Sequence, residues 1–253
     1  MGAHLTIACP VLYLLLKRSL SLNLCFLEET DTMKLEEDLY VYLWKNAYEN
    51  NCNSYVIGGA LTVLIDPGHT KFVEQLFSQM EEDGLSPDAI DLIVSTHSHP
   101  DHLEGLATFS DKPTKVTMSE DEERYLLETG RFLFEMMGQP LPRFRIDFYL
   151  KEGNLRLGEN DFDIIQTPGH SPGSLSIYWP ERKTLFTGDV VFYGGIGRTD
   201  FPEGNSKELM ASIERLSQLE TEILLPGHGE IILGRNAVIE NFESIRQSFY
   251  PYL

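Results

Sequence analysis

Ser95-Thr96-His97-Ser98-His99-Pro100-Asp101-His102 is the stretch that decides how this chain is read. It places three imidazoles and a carboxylate within six residues, at the end of a short buried strand expected over Ile90 to Ser95. Neutral imidazole and carboxylate are the donors that zinc and other first-row metals take. Pro100 cannot continue a strand, so these donors belong to a loop at the strand's carboxyl end. One ion needs about four donors and this loop cannot wrap an ion alone, so partners must come from elsewhere in the chain.

Three segments offer them. Thr167-Pro168-Gly169-His170, Thr187-Gly188-Asp189 and Leu225-Pro226-Gly227-His228 each follow an apolar run and present a metal-capable residue just past a glycine. Glycine lets the backbone turn sharply there and come close to an ion. Five of the seven histidines fall in this pattern, leaving only His4 and His69 outside it. A structural zinc site closes on four ligands, often cysteines, and seven His and Asp donors are more than one such site uses.

Outward from these loops the pattern predicts strands over Leu39 to Trp44, Ser54 to Ile57 and Leu61 to Ile65, with Gly58-Gly59 turning the hairpin. Lys71 to Asp83 has helical spacing and stops at Gly84. Strands over Ile164 to Gln166, Ser174 to Trp179, Lys183 to Phe186 and Glu222 to Leu225 surround a helix over Ser206 to Leu219. This mixture of hairpins and strand-helix-strand units is an α/β arrangement of stacked sheets covered by helices. Ser119 to Met137 reads as an inserted amphipathic helix, closed by Pro140 and Pro142, within a helical insertion near 119–145. Its apolar members would be Tyr125, Leu126, Leu133, Phe134 and Met137, and Phe132, Phe134, Met136 and Met137 beside Arg131 would suit a lid.

The 253 residues are enough for one catalytic domain, and 42% hydrophobic with 23% charged is ordinary globular composition. Twenty Lys and Arg against 39 Asp and Glu give a net charge of -19, which repels a phosphate backbone and excludes general nucleic-acid binding. A small anionic substrate is not excluded, because bound cations offset the charge locally. Cys9, Cys25 and Cys52 form neither a metal pattern nor a disulfide framework, which fits a reducing cytoplasm. The apolar residues from Leu5 to Leu27 are interrupted by Pro10 and Lys17-Arg18, so neither half reaches the roughly 20 residues of a spanning helix, and no stable membrane insertion is expected. Residues 1–32 are read as an extension outside the catalytic fold, which then occupies 33–253.

His97-x-His99-x-Asp101-His102, followed in order by His170, Asp189 and His228, resembles the metallo-β-lactamase superfamily, with the likeness spanning Tyr55 to His228. The resemblance implies an αββα sandwich of two mixed sheets flanked by helices, with two divalent metals at one edge: zinc in the first place, iron or manganese as alternatives. By that likeness His97, His99 and His170 hold one metal, Asp101, His102 and His228 the other, and Asp189 bridges them. The implied chemistry is hydrolysis of a small-molecule bond by a hydroxide between the metals, with Asp101 orienting it. Asp66 resembles the family's early aspartate and is a candidate to hold an imidazole in one tautomer.

Gly194-Gly195-Ile196-Gly197-Arg198-Thr199-Asp200-Phe201 resembles the loop of glyoxalase II-like hydrolases, which act on thioesters, and of the related persulfide dioxygenases. Arg198 and Asp200 are candidates for substrate contact or for a salt bridge shaping that loop. The 25 residues after His228 are too few for the helical region that helps glyoxalase II bind glutathione. The expectation is therefore a glyoxalase II-like dinuclear hydrolase of a thioester, ester or lactone. A persulfide dioxygenase with one iron on His97, His170 and Asp189 is the competing class, and a lactonase or phosphodiesterase is a further one. A homo-oligomer is compatible with all of these.

Overall fold

The structure is a computed structural model that describes residues 32–46 and 48–252. Two mixed sheets stack face to face. In chain order the first holds β1 (Thr32–Glu36), β2 (Leu39–Tyr42), β3 (Ser54–Ile57), β4 (Val63–Ile65), β5 (Leu92–Val94), β6 (Lys115–Ser119) and β7 (Phe148–Leu150). Its strands also lie in that spatial order, antiparallel from β1 to β4 and parallel from β4 to β7. The second sheet is built from β8 (Gly153–Leu157), β9 (Asn160–Gln166), β10 (Leu175–Trp179), β11 (Thr184–Gly188), β14 (Ile223–Pro226) and β15 (Ile232–Leu233). Its order is β15-β14-β11-β10-β9-β8, with β11 and β14 parallel. Between them in sequence, β12 (Val191–Phe192) and β13 (Gly195–Ile196) form a separate hairpin.

Strand alternation explains the layering. In β2 to β5, Leu39, Val41, Tyr55, Ile57, Val63, Ile65, Leu92 and Val94 point inward and meet Ile177, Trp179, Phe186 and Leu225 from the other sheet. The intervening Tyr40, Val56, Leu64 and Ile93 point outward and bury Leu76 and Met80 of the helix Val73–Glu82. On the far side Tyr178, Leu185 and Leu224 pack under the helices Ser206–Leu216 and Arg235–Ser248. Strands that are apolar on both faces require a cover on both sides, so four layers follow from the period-2 pattern.

Several expected boundaries move. The strand expected from Leu39 to Trp44 ends at Tyr42, and the one from Leu61 begins at Val63, so the β3-β4 connection is longer than a Gly58-Gly59 turn. The helix expected from Ser119 to Met137 breaks into Glu120–Tyr125, a π-helical turn Leu126–Gly130 and Arg131–Met136. Met137, expected on its apolar side, is half exposed, while Glu122 is fully buried. Thr32 belongs to β1; the rest of the expected extension lies outside the described residues. Among the described residues no helix is long and apolar enough to cross a membrane.

Candidate metal centre

Every donor picked out by the sequence stands at the carboxyl end of a strand. β5 runs into Ser95 to His99, and Pro100 then opens a single helical turn, Pro100–Leu103, that carries Asp101 and His102. Pro is at home at a helix start because its missing N–H would have no partner there anyway. The donors expected on a loop are thus split between an extended piece and a turn of helix. β9 leads to His170, β11 to Asp189 and β14 to His228. Gly188 takes a left-handed φ of 50°, which lets β11 end abruptly before Asp189. Gly227 serves close approach: a Cβ there would fall 2.1 Å from Asp189 Oδ1 and 2.7 Å from His102 Cε1.

The side chains converge. Donor atoms of His97, His99 and His170 lie within 4.8 Å of one another, as do those of His97, His102 and Asp189, and those of Asp101, His102 and His228. Asp189 reaches both sides, with Oδ1 3.1 Å from His102 Nε2 and Oδ2 3.5 Å from His170 Nε2 and 3.4 Å from His228 Nε2. His97 Nε2, His99 Nε2, His170 Nε2 and Asp189 Oδ1 are buried without a hydrogen-bond partner. Leaving one such atom unpaired costs about 1–3 kcal/mol, so four of them within these overlapping groups are donors suited to cations. The residues present fit a metal.

Electrostatics divide the cluster in two. Burial, reinforced by the neighbouring imidazoles, holds His97 well below the ordinary histidine range and His99 at about 3. Burial also lowers His170, so this trio presents neutral lone pairs. At His102 and His228 burial works the same way, but Asp189 outweighs it, joined by Asp66 at His102 and by Asp101 at His228. In the metal-free chain His102 is therefore held well above its usual value and His228 at about 10. Burial pushes Asp101 and Asp189 up, yet His228 and His102 more than offset it and keep both ionised.

Surrounding groups fix the imidazoles. Asp66, at a left-handed φ of 54° after β4, sits 2.8 Å from His102 Nδ1 and accepts from Thr96 N at 2.8 Å and Thr96 Oγ1 at 2.6 Å. His170 Nδ1 donates to the carbonyl of Arg198 at 2.8 Å. Asn50 Nδ2 donates to Asp101 Oδ2, and Asn53 Nδ2 donates to the carbonyls of Pro226 and Gly229 beside His228. His69 is not in the cluster; its Nδ1 lies 2.9 Å from Glu104 Oε2. Cys52 is buried, which pushes its thiol up and leaves it inert.

Sequence reasoning missed Glu122. Its carboxylate accepts from Ser98 N at 2.8 Å and Ser98 Oγ at 2.7 Å, and from Ser171 Oγ at 2.8 Å and Gly173 N at 2.9 Å. One side chain thus joins the His97–His99 segment to the His170 segment. The only signal was a Glu three residues after Ser119, and that motif reads as a helix start; Ser119 does accept from Glu122 N at 3.0 Å.

Above the cluster opens a cavity of about 580 Å³. Leu133, Met136, Met137, Phe192, Ile196 and Phe201 line it together with Arg198 and the metal-facing His and Asp side chains. The inserted segment does cover this cavity, but through Leu133, Met136 and Met137; Phe134 is buried in the core beneath. Arg198 and Asp200 form the salt bridge that was one of their two expected roles, with both contacts at 2.6 Å. Arg198 also lies over the Phe201 ring, 4.0 Å from its centroid.

The sequence pattern of the metallo-beta-lactamase superfamily matches residues 47–228. A probable metallo-hydrolase of Methanocaldococcus jannaschii is 35% identical over 74% of this chain and 91% of its own length. The hydroxyacylglutathione hydrolase GloC of Haemophilus influenzae is 35% identical over 72% of this chain and 87% of its own. The solved structure of TTHA1623 in a di-iron-bound form superposes with a TM-score of 0.63 at 32% identity, covering 75% of this chain and 93% of that one. The order of ligand-type residues, the αββα sandwich and these similarities agree, and the chain belongs to the metallo-β-lactamase superfamily of metal-dependent hydrolases.

Proposed function

We propose that this chain is a dinuclear metal-dependent hydrolase of a thioester or a related acyl bond, glyoxalase II-like in its reaction. The observation that carries this reading is the pairing of two donor groups around Asp189. His97, His99 and His170 would hold one ion, Asp101, His102 and His228 a second, with Asp189 between them. A single-iron dioxygenase would need only His97, His170 and Asp189, and would leave the Asp101, His102 and His228 group without a task. The 35% identity to GloC supports the thioester as the bond.

When bound, two divalent cations, with zinc as our first choice, supply Lewis acidity and bring the pKa of water toward neutrality. The chain does the rest. Asp66, Thr96 and the Arg198 carbonyl hold His102, His97 and His170 in fixed orientations, which keeps the site preorganised. Asp101, held by Asn50 on the cavity wall, takes the proton of the attacking water. The water oxygen bonds to the acyl carbon, the carbon–sulfur bond breaks, and the proton passes to the departing sulfur, giving a carboxylic acid and a thiol. Leu133 and Phe201 set hydrocarbon walls beside the bond that is cut.

The test is metal analysis of purified protein together with turnover of S-lactoylglutathione, simple thioesters, lactones and bis-p-nitrophenyl phosphate. About two ions per chain with thioester turnover supports the reading. Oxygen consumption on glutathione persulfide with a single iron overturns it.

A further inference from the structure

The cavity above the metal cluster carries its own information about the substrate, and the inference drawn from it rests on the hydrolase reading. Hydroxyacylglutathione brings a short polar acyl group and two carboxylates on the thiol side. A pocket built for it should offer cations to the carboxylates and hydrogen-bond donors to the acyl hydroxyl. This cavity offers little of either. Apart from the histidines at its floor, its only basic lining residue among the described residues is Arg198. Nε and Nη2 of that guanidinium both donate to Asp200, whose carboxyl the hydrogen bond from Arg198 pulls down to about 2. A second carboxylate would have to share a guanidinium whose charge is already paired, in a chain of net charge -19.

The walls instead are hydrocarbon. Leu133, Met136 and Met137 come from the helix Arg131–Met136 and its end, Phe192 and Ile196 from the β12-β13 hairpin, and Phe201 from the following loop. Met136 and Met137 are 65% and 50% exposed, which leaves flexible thioethers at the cavity with nothing among the described residues to cover them fully. Methionine adapts its shape to irregular apolar ligands. A cavity of about 580 Å³ is also generous for a lactoyl group, since pockets of this size enclose a drug-sized molecule.

We infer that the site takes acyl compounds whose acyl part is an unbranched hydrocarbon chain of medium length, laid under Met136 and Met137, with a small uncharged thiol as leaving group. The covalent step is the hydrolysis already described, and only the occupant of the pocket changes. Each methylene that enters the cavity should raise kcat/KM by about two- to fourfold.

The metal-loaded enzyme is assayed on acetyl, butyryl, octanoyl and dodecanoyl thioesters of N-acetylcysteamine and on S-lactoylglutathione. In parallel, calorimetry measures binding of the non-hydrolysable thioethers S-octyl- and S-methyl-N-acetylcysteamine and S-methylglutathione. The expected results are an octanoyl-to-lactoylglutathione ratio of kcat/KM of at least ten and octyl binding at least tenfold tighter than methyl, with a negative heat-capacity change. Met136→Glu and Met137→Glu, both on exposed positions, should each cut that ratio at least fivefold without changing metal content or Tm. A ratio below ten, or thioether binding indifferent to chain length, overturns the inference and leaves the hydrolase reading standing. If no thioester is cut, the hydrolase reading fails, and the calorimetry alone then decides whether the pocket is a hydrocarbon site.

Discussion

Asp189 has to face donors on two sides at once, and its two oxygens lie within 3.5 Å of His102, His170 and His228. Replacing it should disturb the whole cluster: Asp189→Ala is expected to lower metal content to one ion or fewer and to cut kcat/KM by a factor on the order of a thousand, with the circular dichroism spectrum retained. His99→Ala removes a donor from one group only, so it should lose metal and activity while the Asp101 side keeps its own donors. Protons compete with metal here. In the metal-free chain His228, held at about 10, is bound to Asp101 and Asp189 as a cation. Its folded pKa lies above its unfolded one, so this pairing stabilises the metal-free fold fully below about pH 6.5 and is lost as pH rises through about 10. Loading metal must expel the protons of both His102 and His228, and zinc affinity measured from pH 6 to 8 should rise by up to about a hundredfold per pH unit. An affinity flat over that range would rule out protonated imidazoles in the metal-free site. The seven candidate donors stand out in the sequence because four of them crowd one loop after an apolar strand, and His170, Asp189 and His228 each follow a glycine. Glu122 was not legible: its partners Ser98, Ser171 and Gly173 are remote in sequence, and an acidic residue in a first helical turn has an ordinary explanation.

At the scale of elements, the segment Glu120–Met136 ties pocket to metal loops. Glu122 anchors its start and Leu133 to Met137 roof the cavity, with a π-helical turn between them. Such turns inside helices often accompany functional sites. Glu122→Gln can keep accepting from Ser98 or Ser171, but its amide nitrogen has no acceptor facing it from Gly173 N. Metal affinity should fall about 10–100-fold, with a smaller loss for Gln than for Ala; equal metal affinity in both variants would leave Glu122 no part in holding the loops. The helix Ser206–Leu216 is capped by Asn205, whose side chain accepts from Lys207 N at 3.1 Å and Glu208 N at 3.3 Å while its own N–H donates to the Gly169 carbonyl. Asn205→Ala should cost about 1 kcal/mol and lower Tm by roughly 2–4 °C in a thermal melt. Elements with strong periodicity were legible: β3, β10 and the helix after Thr70 fall where the apolar spacing puts them. Those that escaped had no such signal. β8 reads Gly-Asn-Leu-Arg-Leu and is largely exposed, β7 and β15 are two or three residues long, and all three owe their strand form to a neighbour.

For the molecule as a whole, two sheets with apolar inner and outer faces supply the stability, and one edge of the sandwich carries a cluster in which some buried donor atoms stay unpaired when bare. Four orphaned buried donor atoms are a cost the fold carries until a cation binds. Removing metal with a chelator should therefore lower Tm, and restoring zinc at about a thousandfold its Kd should raise it by roughly 10 °C. No change in Tm would mean that the donors satisfy one another without metal. The surplus of acidic residues, giving -19 overall, would repel a nucleic-acid backbone and would not oppose entry of the small uncharged acyl compound proposed above.

The most direct test of the central claim is the number and identity of metal ions per chain in the purified native protein, read by elemental analysis beside turnover of a thioester. The account predicts about two divalent ions, zinc foremost, and thioester hydrolysis that disappears on chelation and returns on reloading. A single iron per chain, with oxygen consumed on glutathione persulfide and no thioester cut, would contradict it.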